Sequence, residues 1–275
     1  MELRPGQVAV VTGGASGLGF ALAESFAARG LRVVLAGVNE GRLAAAVTRL
    51  ESVGASVLGV PTDVRFADQL EQLAAATLER FGRVDVICNN AGVHSAPAPM
   101  WEVHENNWRW VMSVNLGGVL HGVRSFVPYL VAQNSGHVVN TASMAGISAG
   151  PCHGPYLASK HAVVALSEGL AMELAEAAPN VGVTVVCPGQ VLTDIHSAER
   201  NRPDDLAVEA RELDPSKLQG FIKWMRSVTH EDIPAREAAE IVVHAVEANT
   251  LHVAPNGAFA AVKAWQAQLR ADLGF

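Results

Sequence analysis

The stretch Val8-Ala-Val-Val-Thr12-Gly13-Gly14-Ala15-Ser16-Gly17-Leu18-Gly19 is an apolar, β-rich run that breaks into glycines where a helical pattern begins. Such a strand, a tight turn and a helix in succession open a βαβ unit. Gly13 suits the turn itself, Gly17 a backbone that lets a pyrophosphate approach, and Gly19 close contact of helix and strand. The helix start offers free N–H groups and a positive dipole end to phosphates. In this context the glycines predict dinucleotide binding.

The pattern repeats outward. Strands are expected at Gln7–Thr12, Arg32–Ala36, Ser56–Val60, Val84–Asn89, Gly136–Thr141, Gly182–Cys187 and Leu251–Ala254. Helices are expected near Gly17–Arg29, Glu40–Val53, Phe66–Phe81, Glu105–Gln133, Pro155–Ala178 and Ala235–Ala248. Several strands are unbroken Val/Ile/Leu runs, as expected of parallel strands covered on both faces. The alternation predicts an α/β Rossmann fold, a doubly wound seven-stranded parallel sheet with helices on both faces. Nothing splits the 275 residues, so 1–275 reads as a single domain. Two irregular stretches, His94–Glu105 and about 190–232, follow strand ends on the edge where ligands bind, and could wall a substrate pocket. An amphipathic run, Ala258–Leu273, extends the C-terminus.

Composition narrows the function. The formal net charge of −7 opposes non-specific nucleic-acid binding. No segment resembles a signal peptide or a membrane span, so a cytoplasmic protein without a membrane partner is expected. Ten histidines and three cysteines show no metal-ligand spacing, so no metal is expected. Cys88 and Cys187 read as buried thiols. Trp101, Trp108 and Trp110 read as packing residues near a helix start.

Within Tyr156-Leu-Ala-Ser-Lys160 a helix would put the phenol and the ammonium on one face. A close ammonium favours the phenolate and lowers the phenol's pKa. Ser143, thirteen residues upstream of Tyr156, could hold a carbonyl oxygen for protonation. These parts suit proton transfer coupled to hydride transfer.

Taken in register, the motifs resemble the classical short-chain dehydrogenase/reductase family. Thr12-Gly-x-x-x-Gly-x-Gly19 is similar to its cofactor turn, and Asn89-Asn90-Ala91-Gly92 to its strand-four motif. Asp63-Val64 resembles the pair that touches adenine, and Pro188-Gly189 with Thr193 the segment flanking the nicotinamide. Asn115 within Val114-Asn-Leu-Gly, Ser143, Tyr156 and Lys160 match its catalytic group. The resemblance implies an NAD(P)-dependent enzyme interconverting a secondary alcohol and a ketone. Tyr156 would be the general acid and base, with Lys160 depressing its pKa and holding the nicotinamide ribose. Ser143 would bind the substrate oxygen, and Asn115 would support a proton-relay water.

The resemblance also implies cofactor contacts from Ser16, Leu18, Gly37, Val38, Asn39 and Val191. Substrate contacts are expected from Ser143, Met144, Ala145, His153, Tyr156 and Gln190, with His94, His196, Phe221, Trp224 and Met225 as further wall candidates. Gly37 stands where NAD-preferring members carry an acid, and Arg42 follows on the next helix. The expectation therefore leans to NADP(H) or dual use. The stretches Asn115–Pro128, Thr141–Gly146 and Glu199–Pro203 look like a subgroup including bacterial dehydrogenases of aryl or lipophilic alcohols, so a medium-sized apolar or aryl substrate is expected. A homodimer or homotetramer is expected. Two rivals share the scaffold: a non-catalytic dinucleotide sensor, and a dehydratase or epimerase.

Overall fold

The computed structural model describes residues 1–209, 218–228, 232–256 and 267. Seven parallel strands form the sheet: β1 (Val8–Thr12), β2 (Arg32–Gly37), β3 (Val57–Pro61), β4 (Val86–Asn89), β5 (Gly136–Thr141), β6 (Val181–Val186) and β9 (His252–Val253). Their spatial order is β3-β2-β1-β4-β5-β6-β9. The order reverses between β1 and β4, which opens a crevice at their carboxyl ends. Strand β1 is buried at every position, which is why its sequence lacks polar alternation, while the equally buried β5 accommodates His137, Asn140 and Thr141.

Helices α1 (Gly17–Ala28), α2 (Glu40–Glu51) and α8 (Ala235–Glu247) cover one face, where Phe26, Leu31 and Leu35 are among the buried residues. Helices α3 (Ala67–Phe81), α4 (Glu105–Met112), α5 (Gly118–Gln133) and α6 (Gly154–Ala177) contribute to the core on the other, around Leu70, Trp110 and Phe126.

Three features depart from the expectations. The helix expected over Glu105–Gln133 is divided by a π-helical turn at Ser113–Gly117. One extra residue per turn is accommodated there, and it carries Asn115 inward to full burial. A two-stranded bridge, β7 (Val191–Leu192) on β8 (Ile233–Pro234), is too short for any periodicity to reveal. Trp110 is buried at 1% exposure, but Trp101 is 85% exposed and is no packing residue. Helix α7 (Gln219–Val228) lies within the irregular stretch expected at about 190–232. The expected run Ala258–Leu273 lies outside the described residues apart from Ala267.

A buried polar row crosses the sheet below the crevice. Asn89 Nδ2 donates to Asn140 Oδ1 (2.9 Å), and Asn140 Nδ2 donates to Ser167 Oγ (3.0 Å). Gly122 of α5 packs directly on this row, and a Cβ there would fall 1.9 Å from Asn89 Oδ1. Gly122→Ala should therefore cost about 1–3 kcal/mol in urea unfolding, by overpacking. In an Asn89→Ala background the same change should cost clearly less, and strict additivity of the two would refute this packing account.

Candidate functional site

A cleft of about 520 Å³ opens at the carboxyl ends of the strands. It runs from the glycine turn after β1 to the loops that follow β5 and β6. Gly13 and Gly17 hold φ of 64° and 56°, in the left-handed region. At Gly19 a Cβ would lie 2.3 Å from the Gly13 carbonyl oxygen, so only glycine lets α1 start this close to the turn. Ser16 occupies the N-cap position without a side-chain cap bond, which leaves the first N–H groups of α1 for a ligand.

The turn is tied to β4 by side chains. Thr12 Oγ1 accepts from the N–H groups of Asn90 (2.9 Å) and Ala91 (3.1 Å), and Asn90 Nδ2 donates to the Thr12 carbonyl (3.0 Å). Thr141 Oγ1, at the end of β5, donates to Asn90 Oδ1 (3.3 Å). Three strand ends are thus fixed relative to one another.

The acid–base candidates converge from β5, α6 and the π turn. The hydroxyls of Ser143 and Tyr156 are hydrogen-bonded. Lys160 is 2% exposed, and its Nζ donates to the Thr141 carbonyl (2.8 Å) and lies 5.6 Å from the centre of the Tyr156 ring. Asn115 lies behind the cleft wall. Its Oδ1 accepts from Val93 N (2.8 Å), and its Nδ2 donates to Val93 O (2.9 Å) and Ser159 Oγ (3.0 Å). Ser159 Oγ in turn donates to the Tyr156 carbonyl (2.8 Å), so the π turn braces the segment that carries the tyrosine.

Electrostatics differ from the expectation in one respect. Burial raises the Tyr156 pKa, and the bond with Ser143 works against that rise. The nearby ammonium is not what offsets it. Lys160 is itself desolvated, with its own pKa lowered to about 8, and its Nζ donates to a backbone carbonyl.

The other expected residues divide as follows. Gly37, Val38, Asp63, Val64, Asn90, Ala91, Gly92, Pro188, Gly189, Val191 and Thr193 line the cleft with the glycine turn and Leu18. Asn39 does not line it, because its Oδ1 caps α2 by accepting from Arg42 N (2.9 Å). The position just before Glu40 carried that cap signature in the sequence. Asp63 borders the cleft with its carboxylate held by Arg65, whose Nε and Nη2 donate to it at 2.9 and 2.7 Å. Arg42 is paired with Asp194 (3.0 Å).

At the substrate end, Met144 and Ala145 border the cleft but are buried at 2% and 4% exposure. His153 packs on the Tyr156 ring with centroids 4.7 Å apart, and burial lowers its pKa to about 3. Gln190 Nε2 lies 3.0 Å from His196 Nε2. Phe221, Trp224 and Met225 of α7 complete the wall. Sequence reading missed Thr141, Ser159 and Asp194. The Thr141 contact to Lys160 uses backbone and leaves no side-chain signal, while Asp194 meets Arg42 across 152 positions.

With this geometry established, comparison with known proteins is decisive. The family profile described as short chain dehydrogenase matches residues 7–204. The chain belongs to the short-chain dehydrogenase family. This dehydrogenase is 39% identical over 217 residues to a 1-deoxy-11-beta-hydroxypentalenate dehydrogenase of Streptomyces avermitilis, covering 77% of this chain and 79% of that protein. It is 34% identical to 3beta-hydroxysteroid dehydrogenase 2 of Eggerthella lenta, over 85% of this chain and 86% of that protein. Among solved structures, a short-chain dehydrogenase/reductase from Burkholderia phymatum in complex with NAD superposes with a TM-score of 0.89. It shares 43% identity and the match covers 96% of this chain and 94% of that one. Members named in this way are dehydrogenases and reductases, and this chain is an oxidoreductase acting on hydroxyl groups. Among the described residues, no helix is long and apolar enough to cross a membrane.

Lys160 gives a direct test of the site's energetics. Its pKa falls from 10.5 to about 8 on folding, so below about 8 the folded chain carries the full cost of burying the ammonium. From there to 10.5 the unfolded chain binds more protons, and stability rises with pH. Lys160→Met should raise Tm by a few degrees, of the order expected for about 1 kcal/mol, near pH 7. The gain should shrink towards pH 10.5. A lower Tm for the variant at both pH values would contradict this burial cost.

Proposed function

We propose that this dehydrogenase interconverts a secondary alcohol and a ketone with a nicotinamide dinucleotide, on a medium-sized apolar or aryl substrate, with Tyr156 as general acid and base. The observation that carries the reading is the Ser143–Tyr156 hydrogen bond beside a buried Lys160, in the same cleft as the glycine turn. The glycine turn fits a pyrophosphate, since the left-handed backbone at Gly13 and Gly17 and the open helix start offer the geometry an anion needs. The NAD complex of the Burkholderia phymatum relative supports the same cofactor class. When bound, the dinucleotide supplies or takes up the hydride.

The chain's own residues do the rest. Ser143 orients the substrate oxygen and stabilises charge that develops on it. Tyr156 gives that oxygen a proton during reduction and removes it during oxidation. Its raised pKa keeps the phenol protonated at neutral pH, which suits the reductive direction. Oxidation should strengthen as pH rises, and reduction should weaken. Lys160 places positive charge below the tyrosine, and Asn115 holds the π turn and the Val93 backbone in place. Asn115 acts as a positioning residue, because it does not line the cleft. The apolar wall agrees with the names of the relatives, one a hydroxysteroid and one a hydroxypentalenate dehydrogenase.

The lean to NADP(H) gains no support from the site. Arg42, the cation that the sequence offered for a 2′-phosphate, is engaged by Asp194. We therefore favour NAD(H).

Tyr156→Phe should lower kcat for ketone reduction roughly 10²- to 10⁴-fold while NADH binding, read by fluorescence, stays within about twofold. Near-wild-type turnover in that variant would remove Tyr156 from the acid–base role. A second test concerns Gly37, where a new Cβ would meet only Ala15 Cβ, at a comfortable 3.8 Å. Gly37→Asp should fold normally and raise the ratio of NADH to NADPH affinity at least about tenfold, the size expected for a carboxylate facing a phosphate. An unchanged ratio would mean that the adenosine ribose lies elsewhere.

A further inference from the structure

The substrate end of the cleft contains a polar atom that the reaction as described does not use. His94 follows β4 and lines the cleft. Its ring stands edge-on to that of Tyr156, with centroids 6.3 Å apart, and packs against His153 and His196 at 5.7 and 5.5 Å. Nδ1 lies 3.0 Å from the Ser95 carbonyl oxygen. A carbonyl oxygen can only accept, so Nδ1 carries the proton. In the neutral ring Nε2 is then a bare acceptor. Burial lowers the pKa of this imidazole, so the neutral ring prevails at neutral pH. Nε2 is buried without any hydrogen-bond partner. An orphaned buried acceptor destabilises the fold, and it is tolerated where a ligand will supply the donor.

The neighbouring groups do not meet this need. Gln190 Nε2 is turned to His196. No group of His, Cys, Asp or Glu among the described residues is disposed to hold a metal ion, so the three imidazoles are not a metal cage. The cover over His94 includes His196, which is itself exposed on the substrate loop. A ligand reaches the bare nitrogen only where this cover gives way.

We propose that His94 is a specificity-determining residue that accepts a hydrogen bond from a second hydroxyl of the substrate, so that the preferred substrates are α- or β-hydroxy ketones and the corresponding diols. The inference rests on the proposed secondary alcohol–ketone reaction. The short distance between the rings of His94 and Tyr156 sets the spacing, because the two substrate oxygens must lie only a few bonds apart. In reduction, the hydride goes to the carbonyl carbon and the proton to its oxygen. The second hydroxyl keeps its proton and donates to Nε2 throughout.

The test compares ketones that differ only by the second hydroxyl, reduced with NADH: benzoin against deoxybenzoin, phenacyl alcohol against acetophenone, and β-hydroxypropiophenone against propiophenone. For at least one pair, the wild-type kcat/KM should favour the hydroxylated member roughly 10- to 100-fold, the range expected for a hydrogen bond to a buried, otherwise unpaired group. In His94→Phe, which retains a flat ring without the acceptor, that ratio should fall close to one. In His94→Gln, whose amide oxygen can accept, most of the preference should return. A purely structural role for His94 would lower both members of a pair together and leave the ratio unchanged.

The inference is overturned if the wild type shows no preference in any pair, or if the preference survives His94→Phe. The wild-type comparison stands even if a variant fails to fold. Reduction of the plain ketones without hydroxyl preference would leave the proposed function intact and remove only the role of His94. Turnover of no ketone in any pair would reject the proposed function and this inference together.

Discussion

The site depends on how the ends of β1 and β4 are held together. Between these strands the sheet reverses its winding, so the loops leaving them diverge to opposite faces and would part without a tie. Thr12 and Asn90 supply that tie with three hydrogen bonds, two to backbone N–H groups and one to a backbone carbonyl. Through Thr141 the same asparagine is joined to β5, whose last carbonyl receives the Lys160 ammonium. The glycine turn and the acid–base group therefore share one rigid footing, although 148 positions separate Thr12 from Lys160.

Much of this was legible in the sequence because it is encoded locally. A buried parallel strand needs an unbroken apolar run, and a helix packed against a turn needs glycines, so Val8–Gly19 declares its structure without help from distant residues. The Tyr156–Lys160 spacing on α6 is local in the same sense. What escaped was set by tertiary partners. The π turn ends at the pair Gly117-Gly118, which weakens a helix without dictating a π turn, and its geometry follows the bonds of Asn115 to Val93 and Ser159. The rise in the Tyr156 pKa could not be read from spacing, because desolvation depends on the surrounding fold. Asn39 is the opposite case, because an asparagine just before the helical run from Glu40 is a local capping signal.

The interior gives up stability for function in an identifiable way. A lysine, a tyrosine hydroxyl and several asparagines are buried where aliphatic packing would be more stable. Nearly every one of their polar atoms is satisfied, by backbone where possible: Lys160 by Thr141, Asn115 by Val93, Asn90 by Thr12. Among the described residues the exceptions are Asn89 Oδ1 and His137 Nδ1 within the sheet, and His94 Nε2 and Trp224 Nε1 at the substrate end of the cleft. The substrate wall thus keeps open hydrogen-bonding capacity, as expected of a binding surface.

The small bridge between Val191–Leu192 and Ile233–Pro234 has a consequence for how such an enzyme can change. It clamps the two stems of the intervening segment side by side, at a point where one stem leaves the end of β6 and the other enters α8. The bridge thus brings together the two ends of the 40-residue span 193–232. Thr193, Asp194, Ala198 and Arg202 anchor the start of this span to the glycine turn, α2, the core and α4, so rebuilding that spared these anchors would sample new substrate ranges without refolding the catalytic frame.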